Sequence, residues 1–231
     1  KDEAIIKNEE LLVKNDYTYV EPEQIRSLEL GYRGAFLNDD LNVDVDFYYN
    51  KYTDFIGQVE MNVPKTDNPD SIPFYLADRT KQDRYRMWTN SKTIAYNYGA
   101  GLGISYKLGN YKISGNLTYA KLERKSANDG LEDGFNTPEW IVNASLGNNN
   151  VYRNFGFNFT YRWQDDYYWQ SFLVSGQVPA YSNVDVQLTK TVNDIMVKAG
   201  GTNIINHYYH SFLGGPAVGG FYYLTVSFNL N

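Results

Sequence analysis

The 231-residue sequence contains no cysteine, which excludes disulfides and thiolate metal sites. It also has no stretch approaching the roughly 18 to 20 consecutive apolar residues that a membrane helix requires. If the chain crosses a membrane, it must do so as strands. An excess of positive charge is missing too. The 21 Lys and Arg against 27 Asp and Glu leave a net charge of -6 and a pI of about 5.0, so a nucleic-acid partner is not favoured. The stretch from Lys1 to Tyr19 is charged and lacks the apolar segment of a secretory signal. What the chain has in abundance is tyrosine, 22 against 12 Phe and 4 Trp. Yet its mean hydropathy is -0.52 and 21% of it is charged, too polar for a bundle of membrane helices. Tyrosine has an apolar body and a polar tip, which suits a surface meeting both lipid and water.

Alternation organises the chain. Leu41, Val43, Val45, Phe47 and Tyr49 share one parity, and Asn42, Asp44, Asp46 and Tyr48 share the other. This period of two marks a strand with one apolar face. The pattern recurs in Tyr96 to Lys107, Tyr111 to Tyr119, Phe155 to Gln164, Val184 to Thr189 and Tyr222 to Leu230. Together these segments predict about nine strands, over 24–36, 40–56, 93–108, 111–124, 138–147, 153–167, 181–191, 195–205 and 221–230. Many exceed the usual globular strand of about 5 to 6 residues and match the roughly 9 to 11 needed to cross a bilayer at a tilt.

The connections alternate as well. Short turns fall at Leu37–Asp39, Gly109–Asn110 and Val192–Asp194, with a longer one near Asn148–Asn154. Between them lie loops over about 57–92, 125–137, 168–180 and 206–220. Outer-membrane barrels have this order, because their periplasmic turns are short and their outer loops long. The expected fold is therefore all-β, an antiparallel transmembrane β-barrel. With short turns in the periplasm, the first and ninth strands both run inward. An odd count of that direction fits the last nine strands of a larger barrel, and a 22-stranded plugged transporter accommodates them. The expected division is 1–23 as an extracellular loop or strand lead-in and 24–231 as the C-terminal part of the barrel. The apolar parity should face lipid and the polar parity a wet or plugged lumen. Tyr48, Tyr52, Tyr119, Tyr161, Trp163 and Tyr222 are candidates for interfacial girdles.

Several segments carry a family resemblance. Glu21-Pro22-Glu23 followed by Glu29-Leu30-Gly31-Tyr32 resembles a Pro-Glu pair and Glu-x-Gly-Tyr strand near the end of TonB-dependent outer-membrane receptors. Tyr52 to Ile56 resembles the Tyr-x-Asp-Phe-Ile end of the next strand in that family. Asn203-Ile204-Ile205-Asn206 and Tyr209 resemble its Asn-Leu-Phe/Leu-Asn-x-x-Tyr element, with isoleucines in the two central places. Gly214-Gly215-Pro216 and the aromatic last strand are similar to receptors of the Bacteroidetes group, the SusC-like ones included. The resemblance implies uptake of an extracellular nutrient such as a glycan, peptide or iron chelate. It also implies a plug and N-terminal strands beyond this chain, a TonB-type energy-coupling protein and outer-membrane lipid as partners. For the glycan-uptake branch, a surface lipoprotein would be added. A structural or secretion-assembly barrel, or a small complete barrel with an enzyme or adhesin role, are the alternatives.

Candidate cargo contacts lie in the long loops. Tyr75, Arg79, Arg84, Arg86 and Trp88 combine rings that stack with guanidinium groups that grip carboxylate or phosphate. Tyr168 and Trp169 follow Asp165-Asp166 in a second aromatic patch. Loop packing and girdle anchoring are the competing readings of both groups. His207 and His210 present two metal ligands with no third in view. Asp39-Asp40, and Asp129 with Glu132 and Asp133, lack the full spacing of a calcium loop. Gly99-x-Gly101-x-Gly103 mimics a dinucleotide fingerprint but sits inside an alternating strand and opens no helix. No catalytic constellation and no cofactor site are expected.

Overall fold

A computed structural model describes residues 2–12, 19–124, 131–132, 134–171 and 173–228. In chain order the elements are α1 (Asp2–Lys7), β1 (Gln24–Phe36), β2 (Leu41–Thr53), β3 (Ile56–Pro64), α2 (Ile72–Ala77), a 3-10 turn (Arg79–Lys81), β4 (Gln82–Asn90), β5 (Ala95–Leu108), β6 (Tyr111–Arg124), β7 (Leu131–Glu132), β8 (Trp140–Tyr152), β9 (Phe155–Gln164), β10 (Tyr167–Trp169), β11 (Gly176–Val178), β12 (Tyr181–Val192), β13 (Ile195–Thr202) and β14 (Phe221–Phe228). The chain divides into two compact units. One gathers residues 1–26, 51–95 and 124–133, and the other gathers 27–50, 96–123 and 134–231.

The larger unit is built on a nine-stranded sheet in the order β1-β2-β5-β6-β8-β9-β12-β13-β14. Spatial order follows chain order throughout, so the sheet is a meander. Residues 37–40, 109–110, 153–154 and 193–194 are its tight turns, and 54–94, 125–139, 165–180 and 203–220 are its long connections. All long connections therefore leave from one end of the sheet. The nine expected strands are the nine observed ones.

Registry keeps the two parities apart from strand to strand. Ile113 faces Leu146, Leu117 faces Val142 and Tyr119 faces Trp140. Leu146 then faces Phe159 and Ala144 faces Tyr161. Phe159 faces Val186, Val186 faces Gly201, and Val197 and Ala199 face Val226 and Leu224. One slip of register would invert every one of these pairs. Large apolar side chains on this face stay open, with Leu30 69%, Phe47 53% and Leu224 71% exposed. So many large apolar side chains left open on one face fit a hydrocarbon solvent.

The opposite parity is hydrogen-bonded across strands. The Arg33 guanidinium meets the Asp44 carboxylate at 2.5 Å, and Arg162 meets Asp185 at 2.5 Å. Ser114 and Ser145 hydroxyls lie 2.7 Å apart, and the Asn143 amide donates to Asn116 Oδ1 at 2.7 Å. The Tyr223 hydroxyl reaches over Gly200 of β13 to donate to Gln187 Oε1 at 3.0 Å. A Cβ on Gly200 would sit 2.7 Å from that hydroxyl and 2.6 Å from the Val186 carbonyl, so a glycine is required for the crossing. Tyr48 lies in the same way against Gly99, where an added Cβ would come within 2.7 Å of its ring.

Three expectations change. Tyr48 and Tyr52 are not girdle residues of the apolar face, since both fall on the parity of Asn42, Asp44 and Asp46 in β2. The turn expected near Asn148–Asn154 shrinks to Arg153–Asn154. β8 runs on to Tyr152 through an irregularity between Asn148 and Tyr152, where Asn148 is buried and its Oδ1 accepts the Asn150 N–H at 2.8 Å. The three consecutive asparagines look like a turn but serve a bulge. The stretch over 57–92 is also no plain loop, because it folds into β3, α2 and β4.

The two faces respond differently to the same substitution. Phe159→Arg should destabilise the membrane-inserted protein by about 2–4 kcal/mol, and the adjacent Asn158→Arg should have little effect. Denaturant titration of the folded protein in bilayers measures both.

Candidate functional site

The smaller unit carries five of the seven candidate cargo residues. Its sheet has the order β4-β3-β7. β3 and β4 pair in register, with Gln58 opposite Trp88, Glu60 opposite Arg86 and Asn62 opposite Arg84. Arg84, Arg86 and Trp88 therefore share one face of the ribbon, together with Gln58, Glu60 and Asn62. Val59 and Leu131, on the other parity, are 5% and 6% exposed and help form the unit's core with Ile72 at 1%. Glu60 is the pivot of the polar face. Its Oε2 lies 3.2 Å from Arg86 Nη2 and 3.7 Å from Arg84 Nε. Glu132, opposite Gln58 on β7, adds a second carboxylate to this face, and Trp88 beside it is 58% exposed.

Tyr75 and Arg79 belong to the α2 and 3-10 connection instead. The Gln82 amide donates to the Tyr75 carbonyl at 3.0 Å and to Leu76 O at 2.8 Å, closing that connection onto β4. Lys81 Nζ stands 5.6 Å from the Tyr75 ring centre. Asp78 caps the 3-10 turn by accepting from the Thr80 hydroxyl at 2.7 Å and its N–H at 2.9 Å. Those hydrogen bonds, the hydroxyl's first, hold its carboxyl below the usual range.

The motif Glu21-Pro22-Glu23 is tied into this unit. Glu23 Oε2 accepts the Ile56 N–H at 3.0 Å. Asn90 acts as a side-chain strand partner, accepting the Glu21 N–H at 2.7 Å and donating to Glu21 O at 2.9 Å and Asp54 O at 2.6 Å.

Tyr168 and Trp169 lie in the larger unit on β10, which pairs with β11. Trp169 packs on Phe212 at 5.4 Å, and Tyr181 stacks on Tyr209 at 4.0 Å. Burial pushes the Tyr167 hydroxyl up, and that hydroxyl donates to Ser211 O at 2.6 Å. Trp169 Nε1 is buried without a hydrogen-bond partner. Tyr168 points outward, 57% exposed. A reciprocal pair ties two long connections together, with Asn136 Nδ2 donating to Gln170 O at 2.9 Å and Gln170 N–H donating to Asn136 Oδ1 at 2.7 Å.

The histidines do not converge. His210 Nδ1 lies 3.2 Å from Gly215 O, and the His207 N–H donates to Asn203 Oδ1 at 3.3 Å. Among the described residues no group of three or more His, Cys, Asp or Glu could hold a metal. Asp129 and Asp133 lie outside the described residues. The Asn203-x-x-Asn206 element is a corner. Both residues adopt positive φ, 47° and 56°, which asparagine tolerates. Asn203 N–H donates to Asp185 Oδ1 at 2.9 Å, and Asn206 Oδ1 accepts the Gly220 N–H at 2.7 Å.

The family described as "TonB dependent receptor-like, beta-barrel" matches residues 11–204. The chain belongs to this family of β-barrel receptors. Its place is the outer membrane of a Gram-negative bacterium, and its relatives are transporters rather than enzymes. No curated protein matches in sequence. Among solved structures, the FrpB iron transporter from Neisseria meningitidis (F3-3 variant) is similar at TM-score 0.62 and 16% identity, over 90% of this chain and 31% of that one. The copper transporter OprC gives 0.62 and 18%, over 91% and 32%. The siderophore receptor PirA from Acinetobacter baumannii gives 0.59 and 16%, over 90% and 32%. The chain thus spans about a third of the length of these structures, and at such identities the likeness shows the fold.

Sequence reasoning missed Glu60, Phe212 and Tyr181, and it marked Tyr209 only as part of a family element. The signal for Glu60 was present, since Val59, Met61 and Val63 alternate with Gln58, Glu60 and Asn62. The partners of Trp169 are brought in by strand order alone.

Asn136→Ala removes both bonds to Gln170, about 1 kcal/mol each. Limited proteolysis of the folded receptor should then cut within 165–180 faster than in wild type.

Proposed function

We propose that this chain is part of a receptor that binds an extracellular nutrient and imports it across the outer membrane. The observation that carries the reading is the nine-stranded meander with segregated faces, inside a family match over residues 11–204. The structural neighbours named for iron, copper and siderophores support an iron chelate or metal complex as one cargo class. Glycans and peptides are the other two. The Gly214-Gly215-Pro216 element supports a receptor of the Bacteroidetes type, SusC-like in its glycan branch. In this reading residues 24–231 are the C-terminal part of the barrel wall and 1–23 lead into it. A plug and N-terminal strands of the same receptor complete it, and a TonB-type protein supplies the energy. A surface lipoprotein would join in the glycan branch.

Each unit offers one exposed aromatic position to cargo. Trp88 offers a stacking face on the side of the ribbon that also carries Arg84, Arg86, Glu60 and Glu132. Tyr168 offers a second ring, with Trp169 behind it as packing. Tyr75 and Arg79 serve the same region through the α2 connection.

Deletion of the gene in its host should abolish growth on one of the three cargo classes as sole source. Restoration with the full-length gene should recover growth, and a Trp88→Ala, Arg84→Ala copy should raise the cargo concentration needed by tenfold or more, about 1.4 kcal/mol. Unchanged growth of the deletion strain on every class would contradict the reading. Wild-type behaviour of the double variant would remove the ribbon face from the site.

A further inference from the structure

A groove of about 520 Å³ opens on the apolar face of the nine-stranded sheet, lined by Leu28, Leu30, Phe47, Tyr49, Tyr98 and Tyr119 around Gly99 and Ala100. It exists because β5 places a small side chain, Ala100, among large ones. The flanking strands carry Phe47 on β2 and Tyr119 on β6. Aromatic contacts hold its upper wall. Tyr49 lies 6.4 Å from Tyr98, Tyr98 lies 6.3 Å from Tyr119, and Tyr119 packs on Trp140 at 4.6 Å.

Polar groups mark where the groove ends. The Tyr98 hydroxyl donates to Glu123 Oε1 at 2.9 Å, and Lys121 Nζ meets Glu139 at 3.2 Å. These residues stand at the end of the sheet from which the long connections leave, the outer end in a barrel of this class. Tyr and Trp at that level form an interfacial girdle, so the groove below it lies in the outer leaflet.

The geometry points to this groove as a seat for one acyl chain of an outer-leaflet membrane lipid. The groove is continuous with the surface that this family presents to hydrocarbon, so lipid chains are what surrounds it. An empty depression would forfeit the contacts of every atom that lines it. The lining is stiffened by rings in contact, one pair stacked and two tilted, which lose little freedom when a chain settles against them. Above it Lys121 is paired with Glu139, and Glu123, a further carboxylate, accepts from the neutral Tyr98. The seat therefore selects the chain rather than an anionic headgroup. This inference rests on the membrane placement of the sheet and is independent of the cargo.

The test uses the full-length receptor in nanodiscs of phosphatidylethanolamine and phosphatidylglycerol. A small fraction of the phosphatidylethanolamine carries a diazirine on an acyl chain. After photolysis, peptide mass spectrometry locates the label. The expected result is label concentrated on the segments around Phe47–Tyr49 and Tyr98–Ala100. Ala100→Trp fills the groove and should lose that label, and Val226→Trp, on the same face of β14, should keep it. Heat-modifiable migration in gels reports folding of each variant, and Ala100→Leu serves if the larger residue does not fold. Label spread over the apolar face in proportion to exposure would overturn the assignment, as would label that persists in the folded Ala100 variant.

Discussion

Backbone hydrogen bonding in a solvent that offers no partners is the constraint on which this structure depends. In hydrocarbon, each unpaired N–H or C=O costs several kcal/mol, so a strand must be paired along both edges. The nine-stranded meander does this for its seven inner strands with short connections, two residues at three of its four tight turns. Once pairing is fixed, the period of two assigns every side chain to lipid or to the opposite side. Phe159 must then stand beside Leu146 and Val186, and Arg162 beside Asn143 and Asn183. The apolar face needs no packing partner from the protein. That explains why the buried core of the described residues is so small and why large apolar side chains remain open.

The polar face solves a second problem. Long side chains must lie flat across neighbouring strands, and that is only feasible where the neighbour has no Cβ. Gly200 beneath Tyr223 and Gly99 beneath Tyr48 provide this room. The same economy governs the corners. Asparagines at 154, 193, 203 and 206 take positive φ, and the last two also bond to the backbone that turns around them. Residues that read as a family signature therefore have structural duties. Glu23 ties the lead-in to β3, and Asn203 fixes the exit of β13.

The alternation made the sheet legible in the sequence, because a half-solvated strand writes its faces into its residues. The strands β1, β5, β6 and β12 begin or end within two residues of their expected bounds. The asparagine run at 148–150 misled because turn chemistry and bulge chemistry use the same residue. The β3–β4 ribbon was missed for a different reason. Its alternation is as clear as that of the wall, in Val59 to Val63 and in Arg84 to Trp88, but the length of the connection suggested a loop. Contacts such as Trp169 on Phe212 join residues far apart in sequence, and no local pattern announces them.

The absence of cysteine makes the central claim open to direct measurement. Single cysteines would be placed at successive positions from Val184 to Thr189 in the full-length receptor in bilayers, and each would carry a spin label. Accessibility to oxygen, which partitions into lipid, would be compared with accessibility to a water-soluble nickel chelate. The account predicts strict alternation, with oxygen favoured at Val184, Val186 and Leu188 and the chelate at Asp185, Gln187 and Thr189. Uniform accessibility along the strand, or the reverse parity, would contradict it.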